Sequence, residues 1–183
     1  MLFAEQKLKE NVAEYILYMY QIEDVIRAYK FDLDRIMEEF VMPQLPDASF
    51  ASQYRKWYQS LILDMESEKI TETGHLMRLK EILVELSYLH NTLLNISNDE
   101  KYKTLFDTAL PNIEDFKEHS NLKDKNALEI AFHALYMKML LRMQRKEISA
   151  ETEEAFDSMR VLLAYLSRAY RDMKSGGGDY WKN

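Results

Sequence analysis

Cysteine is absent from this 183-residue chain, so a metal ion would have to be held by histidine and by the carboxylates of glutamate and aspartate, which can also transfer protons. Dimetal helical bundles carry Glu-x-x-His on two helices and one further glutamate on each of two others. The chain has one such motif, Glu72-Thr73-Gly74-His75. A carboxylate at a helix start is also explained by its attraction to the helix amides. We therefore predict no metal and no cofactor, and Glu72 and His75 are the candidate ligands that the motif offers.

A second candidate for proton or metal chemistry lies in a later helix. Glu129 and His133 are four residues apart, so their side chains share one helical face. Tyr136 lies near the same face and extends it as a polar patch. The alternative is an ordinary helical pair that contributes about 0.2–0.5 kcal/mol to stability. The sequence leaves both interpretations open.

His90 occupies a position where helical spacing favours an aliphatic residue. The row consists of Leu76, Leu79, Leu83, Leu86, His90 and Leu93. A buried imidazole must satisfy its ring nitrogens. We therefore predict a hydrogen bond between His90 and a tyrosine or carboxylate of another helix. We also expect His90→Leu to fold and His90→Asp to be strongly destabilised.

The composition excludes several classes of protein. Only four glycines are present, and three of them are consecutive at 176–178, so there is no glycine-rich phosphate-binding loop. A net charge of −7 argues against general nucleic-acid binding, which needs a basic surface. No apolar stretch approaches the length of a membrane span, and charged residues near Met1 argue against a signal peptide. We expect a cytoplasmic protein that binds neither nucleic acid nor membrane.

A basic cluster lies near the end of one predicted helix, at Lys138, Arg142, Arg145 and Lys146. Acidic residues open the next helix, at Glu151, Glu153, Glu154 and Asp157. Basic residues at a helix end and acidic residues at a helix start both complement the backbone dipoles. We predict that these carboxylates neutralise the basic cluster.

Apolar residues recur at helical spacing along nearly the whole chain, and no segment shows the sustained alternation of a strand. The row Leu8, Val12, Tyr15, Met19, Ile22, Ile26 and Tyr29 predicts one helix over about 3–30. A later helix contains Pro111, where we expect a kink or a restart. Short connections make successive helices antiparallel neighbours. The prediction is an all-α antiparallel bundle of about seven helices, with one domain at 1–175 and a flexible tail at 176–183.

Aromatic residues are abundant, with twelve tyrosines, eight phenylalanines and two tryptophans. Such side chains suit both interfaces and partly wet pockets. The first hypothesis, which we prefer, is a helical protein-interaction module that self-associates or binds another protein. The second is a ligand-binding, metal-binding or enzymatic bundle with a polar pocket lined by tyrosines and carboxylates of the first helix. The candidate pocket residues are Glu14, Tyr15, Tyr18, Glu23, Asp24, Arg27, His75, His90, His133 and Tyr136.

Four segments spread along the chain carry a family resemblance. The longest is residues 9–24, KENVAEYILYMYQIED. The others are Gly74-His75-Leu76, Ala134-Leu135-Tyr136 and residues 146–153. Together they resemble an uncharacterised bacterial family, domain of unknown function 4924, which occurs mainly in Bacteroides-like bacteria. The family has no assigned activity, so the resemblance implies a small, cytoplasmic, all-helical bacterial protein and no catalytic residues.

Overall fold

Helices account for most of the chain. The computed structural model describes residues 3–176 and contains no strand within that range. Its α-helices are α1 (Phe3–Glu10), α2 (Val12–Ala28), α3 (Leu33–Arg35), α4 (Ala51–Ser67), α5 (Met77–Asn91), α6 (Glu100–Glu118), α7 (Ala127–Met143) and α8 (Ala150–Lys174). Short π-helical turns at Ile36–Val41 and Thr92–Ile96 and 3₁₀ turns at Met42–Gln44 and Ala48–Phe50 join them. The predicted all-α class is confirmed.

The prediction of a single first helix was wrong, because the chain breaks at Asn11. The backbone of Asn11 is extended, and its side-chain oxygen accepts hydrogen bonds from the amides of Ala13 and Glu14. An asparagine at this position satisfies amides that would otherwise lack partners at a helix start. The Ala13 amide also donates to the Ser167 hydroxyl of α8, at 3.1 Å. The break therefore begins α2 as a separate helix tied to α8.

Pro111 does not end α6, so the restart that was one of the two expectations does not occur. The helix continues from Glu100 to Glu118 with the proline inside it. A proline in a helix interior costs about 3 kcal/mol, partly through one lost backbone hydrogen bond. Ala109 and Ile113 are fully buried on either side of it, and Asn112 donates to Ser158 of α8 at 3.0 Å. Packing against α8 offsets the cost and keeps the helix continuous.

The inward residues of α2 are almost completely buried in the core. This helix packs against both α7 and α8. No helix within residues 3–176 is both long and apolar enough to cross a membrane. The tail predicted to be flexible falls, apart from Gly176, outside the described residues.

His90 makes the kind of hydrogen bond that its place in the apolar row predicts. Its Nδ1 lies 2.7 Å from the hydroxyl of Tyr102 on α6, and Tyr102 is completely buried. Burial lowers the pKa of His90, so the ring is neutral near pH 7 and can accept this hydrogen bond. Asp99 caps α6 through the Tyr102 amide and accepts a hydrogen bond from Tyr165 of α8. The network joins α5, α6 and α8.

Removing one member of the His90–Tyr102 pair should cost more than removing both. His90→Leu leaves the buried Tyr102 hydroxyl without its partner, and we expect the free energy of unfolding to fall by about 1–3 kcal/mol. Adding Tyr102→Phe to that variant removes the orphaned hydroxyl and should restore part of the loss. Urea denaturation of the two single variants and the double variant measures the coupling. Strictly additive losses would contradict the pairing.

Candidate functional site

Glu23 of α2 is a carboxylate with no exposure to solvent. Its Oε2 lies 2.6 Å from Nδ1 of His75, and its Oε1 accepts a hydrogen bond from the Leu76 amide at 2.9 Å. Leu76 is the N-cap of α5 and has no side chain that can cap the helix. Glu23 therefore supplies one capping oxygen from another helix, and Glu68 accepts a hydrogen bond from the following amide, that of Met77, at 2.7 Å. With Glu23 ionised, His75 donates through Nδ1, which leaves the lone pair of a neutral ring on Nε2.

Arg27, one turn further along α2, holds the rest of the loop before α5. Its guanidinium donates to the carbonyl oxygens of Ile70 and Gly74 and to the carboxylate of Asp24. Gly74 has φ +97°, and a side chain there would meet Ile70 at 3.3 Å. The loop conformation that presents His75 therefore depends on a glycine before it and on two side chains of α2.

Two histidines from different parts of the chain meet over Tyr20. The rings of Tyr20 and His75 are stacked with their centres 3.7 Å apart, and the Tyr20 and His133 ring centres are 5.6 Å apart. The centres of the His75 and His133 rings are separated by 5.5 Å. We call Tyr20, Glu23, His75 and His133 the histidine cluster. It joins α2, the loop before α5, and α7.

Tyr136 borders the histidine cluster from α7. Its ring meets Tyr20 edge-on, with centres 5.7 Å apart. Its hydroxyl donates to the Asp24 carboxylate at 2.5 Å. Burial, followed by this hydrogen bond and the charge of Asp24, raises the pKa of Tyr136. Tyr136 is therefore a neutral hydrogen-bond donor and not a nucleophile at ordinary pH.

His133 is half-buried and makes no hydrogen bond with any residue between 3 and 176. Burial is the largest of the effects that lower its pKa, followed by the charges of His75 and Lys125, while Glu129 acts in the opposite direction. Glu129 completes a capping box with Asn126 and does not bond His133. Of the predicted pair, Glu129 thus caps α7, and His133 beside it carries a neutral imidazole.

The remaining sequence candidates lie elsewhere. Glu14 is exposed and pairs with Lys7 at 2.6 Å, and Tyr15 is buried in the core. Tyr18 contacts Phe3 and Trp57, and burial raises its pKa to about 12.

Of the metal candidates, His75 is bonded to Glu23, and Glu72 is exposed and lies outside the histidine cluster. Within residues 3–176, no three side chains of His, Cys, Asp or Glu form a group that could hold a metal ion. The structure therefore brings together Glu23, Arg27, His75, His133 and Tyr136. It does not bring the helix-one tyrosines and all the candidate carboxylates into one pocket.

A groove of about 650 Å³ between α2, α7 and α8 is a second candidate site, which the sequence did not predict. Its apolar lining consists of Ala13, Leu17, Leu135, Met139, Met143, Leu163 and Ala164. Its polar lining consists of Asn11, Glu14, Lys138, Arg142 and Arg160. We call these residues the binding groove. Glu14 is the one sequence candidate among them.

Ion pairs surround the basic side of the binding groove. They include two of the four residues of the basic cluster, Lys138 and Arg142, whereas Arg145 and Lys146 form no ion pair with a described residue. Lys138 and Arg142 both contact the carboxylate of Glu153, at 2.6 and 3.1 Å. Arg160 pairs with Asp157 at 2.7 Å. The hydrogen bond from Lys138 is the largest effect that lowers the pKa of Glu153. Three cations of the groove thus pair with two carboxylates.

A family model covers almost the whole length of this chain. A family model described as Domain of unknown function (DUF4924) matches residues 1–177. No curated protein and no solved structure matches the chain. The matched range includes every residue of the histidine cluster and of the binding groove. The chain therefore belongs to the family of domain of unknown function 4924.

Proposed function

We propose that this protein is a ligand-binding helical bundle whose binding groove takes a small molecule with an apolar body and one acidic head group. The observation that carries the proposal is the groove itself, at about 650 Å³. Ligand pockets typically have volumes of roughly 300–1,000 Å³ and a mainly apolar lining with a few polar groups. Leu17, Met139 and Leu163 provide such a lining from three different helices.

The charges at the rim support an acidic head group. Arg160 donates to Asp157 through Nε, and it forms no further hydrogen bond with a described residue. Its two terminal nitrogens can therefore bind a carboxylate. Glu14 on the opposite helix is neutralised by Lys7. Glu154 borders the same cations, so three carboxylates balance three cations there. The head group would therefore be bound by the terminal nitrogens of Arg160 and not by a net positive charge, which favours a ligand with a single negative charge.

Filling the binding groove should abolish ligand binding without unfolding the protein. Ala164 is an exposed residue of α8 that lines the groove, so Ala164→Trp places an indole where the ligand's apolar body would lie. We expect dodecanoate to bind the unmodified protein and to bind this variant at least about tenfold more weakly, a change of roughly 1.4 kcal/mol. Isothermal titration calorimetry measures both affinities.

Ala28→Trp is the matched control, because Ala28 is also exposed on a helix but does not line the groove. It should bind dodecanoate as the unmodified protein does. Arg160→Gln tests the contact with the ligand's head group separately from the contact with its apolar body. The variant should bind dodecanoate more weakly although the groove stays open. Absence of dodecanoate binding to the unmodified protein, or equal binding by Ala164→Trp, would contradict the proposal.

A second candidate function is self-association, which is also the form of interaction expected from the sequence. One exposed apolar row supports it. Met77, Val84 and Tyr88 lie on one side of α5 and are 52%, 54% and 68% exposed. The spacing of seven and four residues aligns them along the helix. In an antiparallel pair of α5 helices centred on Val84, Lys80 of one copy lies opposite Tyr88 of the other, a cation–π arrangement. We propose a symmetric homodimer through this row.

Cytoplasmic location, bacterial origin and the absence of nucleic-acid and membrane partners remain predictions from the sequence.

The dimer proposal is independent of ligand binding, because α5 contributes no residue to the binding groove. Either proposal can therefore fail without the other.

A charge at the centre of the α5 row should prevent dimerisation. Val84→Glu brings two like charges together at the two-fold axis, so we expect a dimeric protein to become monomeric. Size-exclusion chromatography with light scattering measures the mass. Leu63→Glu is the control, since Leu63 is an equally exposed aliphatic residue on α4, and this variant should stay dimeric. A monomeric unmodified protein at high concentration, or a dimeric Val84→Glu variant, would exclude the row as the interface.

A further inference from the structure

We infer that His75 and His133 form a two-imidazole site for a divalent transition-metal ion of the zinc class, with water at the remaining positions. The centres of the two rings are 5.5 Å apart and the rings are tilted by 43°. Metal–nitrogen bonds of about 2.0–2.1 Å at a tetrahedral ion place the centres of two coordinated imidazoles roughly 5 Å apart. The observed separation lies close to that distance.

Glu23 gives His75 the orientation that a metal ligand needs. A ligating histidine usually donates its other ring nitrogen to a carboxylate, which fixes the tautomer and makes the ligating nitrogen more basic. Glu23 holds Nδ1 of His75 at 2.6 Å, and Nε2 forms no hydrogen bond with a residue between 3 and 176. Stacking on Tyr20 further restricts rotation of the ring. The carboxylate of Glu23 thus orients the ligand His75 and does not itself bind the metal.

His133 supplies the second nitrogen. The ring makes no hydrogen bond with the described residues, so neither of its nitrogens is occupied by another group there. A neutral imidazole can coordinate a metal through either nitrogen. His133 also lines an open cavity of about 490 Å³ between the C-terminal end of α6 and α7, so one side of its ring faces open space; His75 does not line this cavity.

The nature of the ligands selects the class of ion. Imidazole nitrogen suits zinc, nickel and copper, whereas magnesium and calcium prefer oxygen ligands. The role of Glu23 as a cap of α5 explains why its carboxylate is buried. That role does not explain why the ring centres of His133 and His75 are only 5.5 Å apart. No third protein ligand is present within residues 3–176, so the proposed site is open to water.

Zinc titration of four single variants tests this assignment. The chain contains four histidines, so His75→Gln, His90→Gln, His119→Gln and His133→Gln form a complete series. We expect His75→Gln and His133→Gln each to weaken Zn²⁺ binding at least about tenfold by calorimetry, while His90→Gln and His119→Gln bind like the unmodified protein. Magnesium chloride should give no binding heat with any of them.

His133→Gln carries most weight, because the change breaks no hydrogen bond among the described residues and the variant should fold. Circular dichroism confirms folding of each variant. The ring resonances of His75 and His133 should shift or broaden together in proton NMR spectra as Zn²⁺ is added, and those of His90 should not. No zinc binding, binding unchanged in His133→Gln, or binding lost in His119→Gln but kept in His75→Gln would each overturn the inference.

Discussion

The arrangement of the histidine cluster depends on the buried carboxylate of Glu23. Placing a carboxylate in a protein interior is costly unless its oxygens are paired. Glu23 meets that requirement with one ring nitrogen and one backbone amide, both from the segment that enters α5. It therefore fixes the start of α5 relative to α2 and sets the orientation of His75. Arg27 reinforces the same connection through two carbonyl oxygens of the loop.

The two candidate sites occupy different portions of α2. The first turns of the helix contribute Asn11, Ala13, Glu14 and Leu17 to the binding groove. The later turns contribute Tyr20 and Glu23 to the histidine cluster. Both sites also use α7, through Leu135 and Met139 for the groove and His133 for the cluster. Because two packed helices carry both sites, a shift of α7 against α2 would alter the groove and the separation of the two imidazoles together.

Helical spacing predicted the fold class because it depends on residues close in sequence. The same kind of information predicted a tyrosine or carboxylate partner for His90, and it placed carboxylates beside the basic cluster of α7. The break at Asn11 could have been predicted, since asparagine is a preferred N-cap, but the continuous apolar row across it favoured one helix. The restart at Pro111 was wrong for the opposite reason, because a local rule was outweighed by packing of α6 against α8.

The pairing of Glu23 with His75 could not be predicted, because 52 residues separate them and no local pattern distinguishes Glu23 from the other glutamates of the helix. The binding groove was missed because its apolar lining comes from three helices, and each residue alone has the spacing of an ordinary core position. The sequence listed six residues around the histidine cluster among its candidate pocket residues: Glu23, Asp24, Arg27, His75, His133 and Tyr136. Only the tertiary structure separates them from the other candidates, Glu14, Tyr15, Tyr18 and His90.

The stability of Glu23→Ala tests the account most directly. Alanine leaves the Leu76 amide and the His75 ring without their acceptor, so we expect the free energy of unfolding to fall by about 2–4 kcal/mol in urea denaturation. Glu14→Ala, which removes an exposed carboxylate from the same helix, should change it by no more than about 0.5 kcal/mol. Similar small effects for both variants would show that the start of α5 does not depend on Glu23.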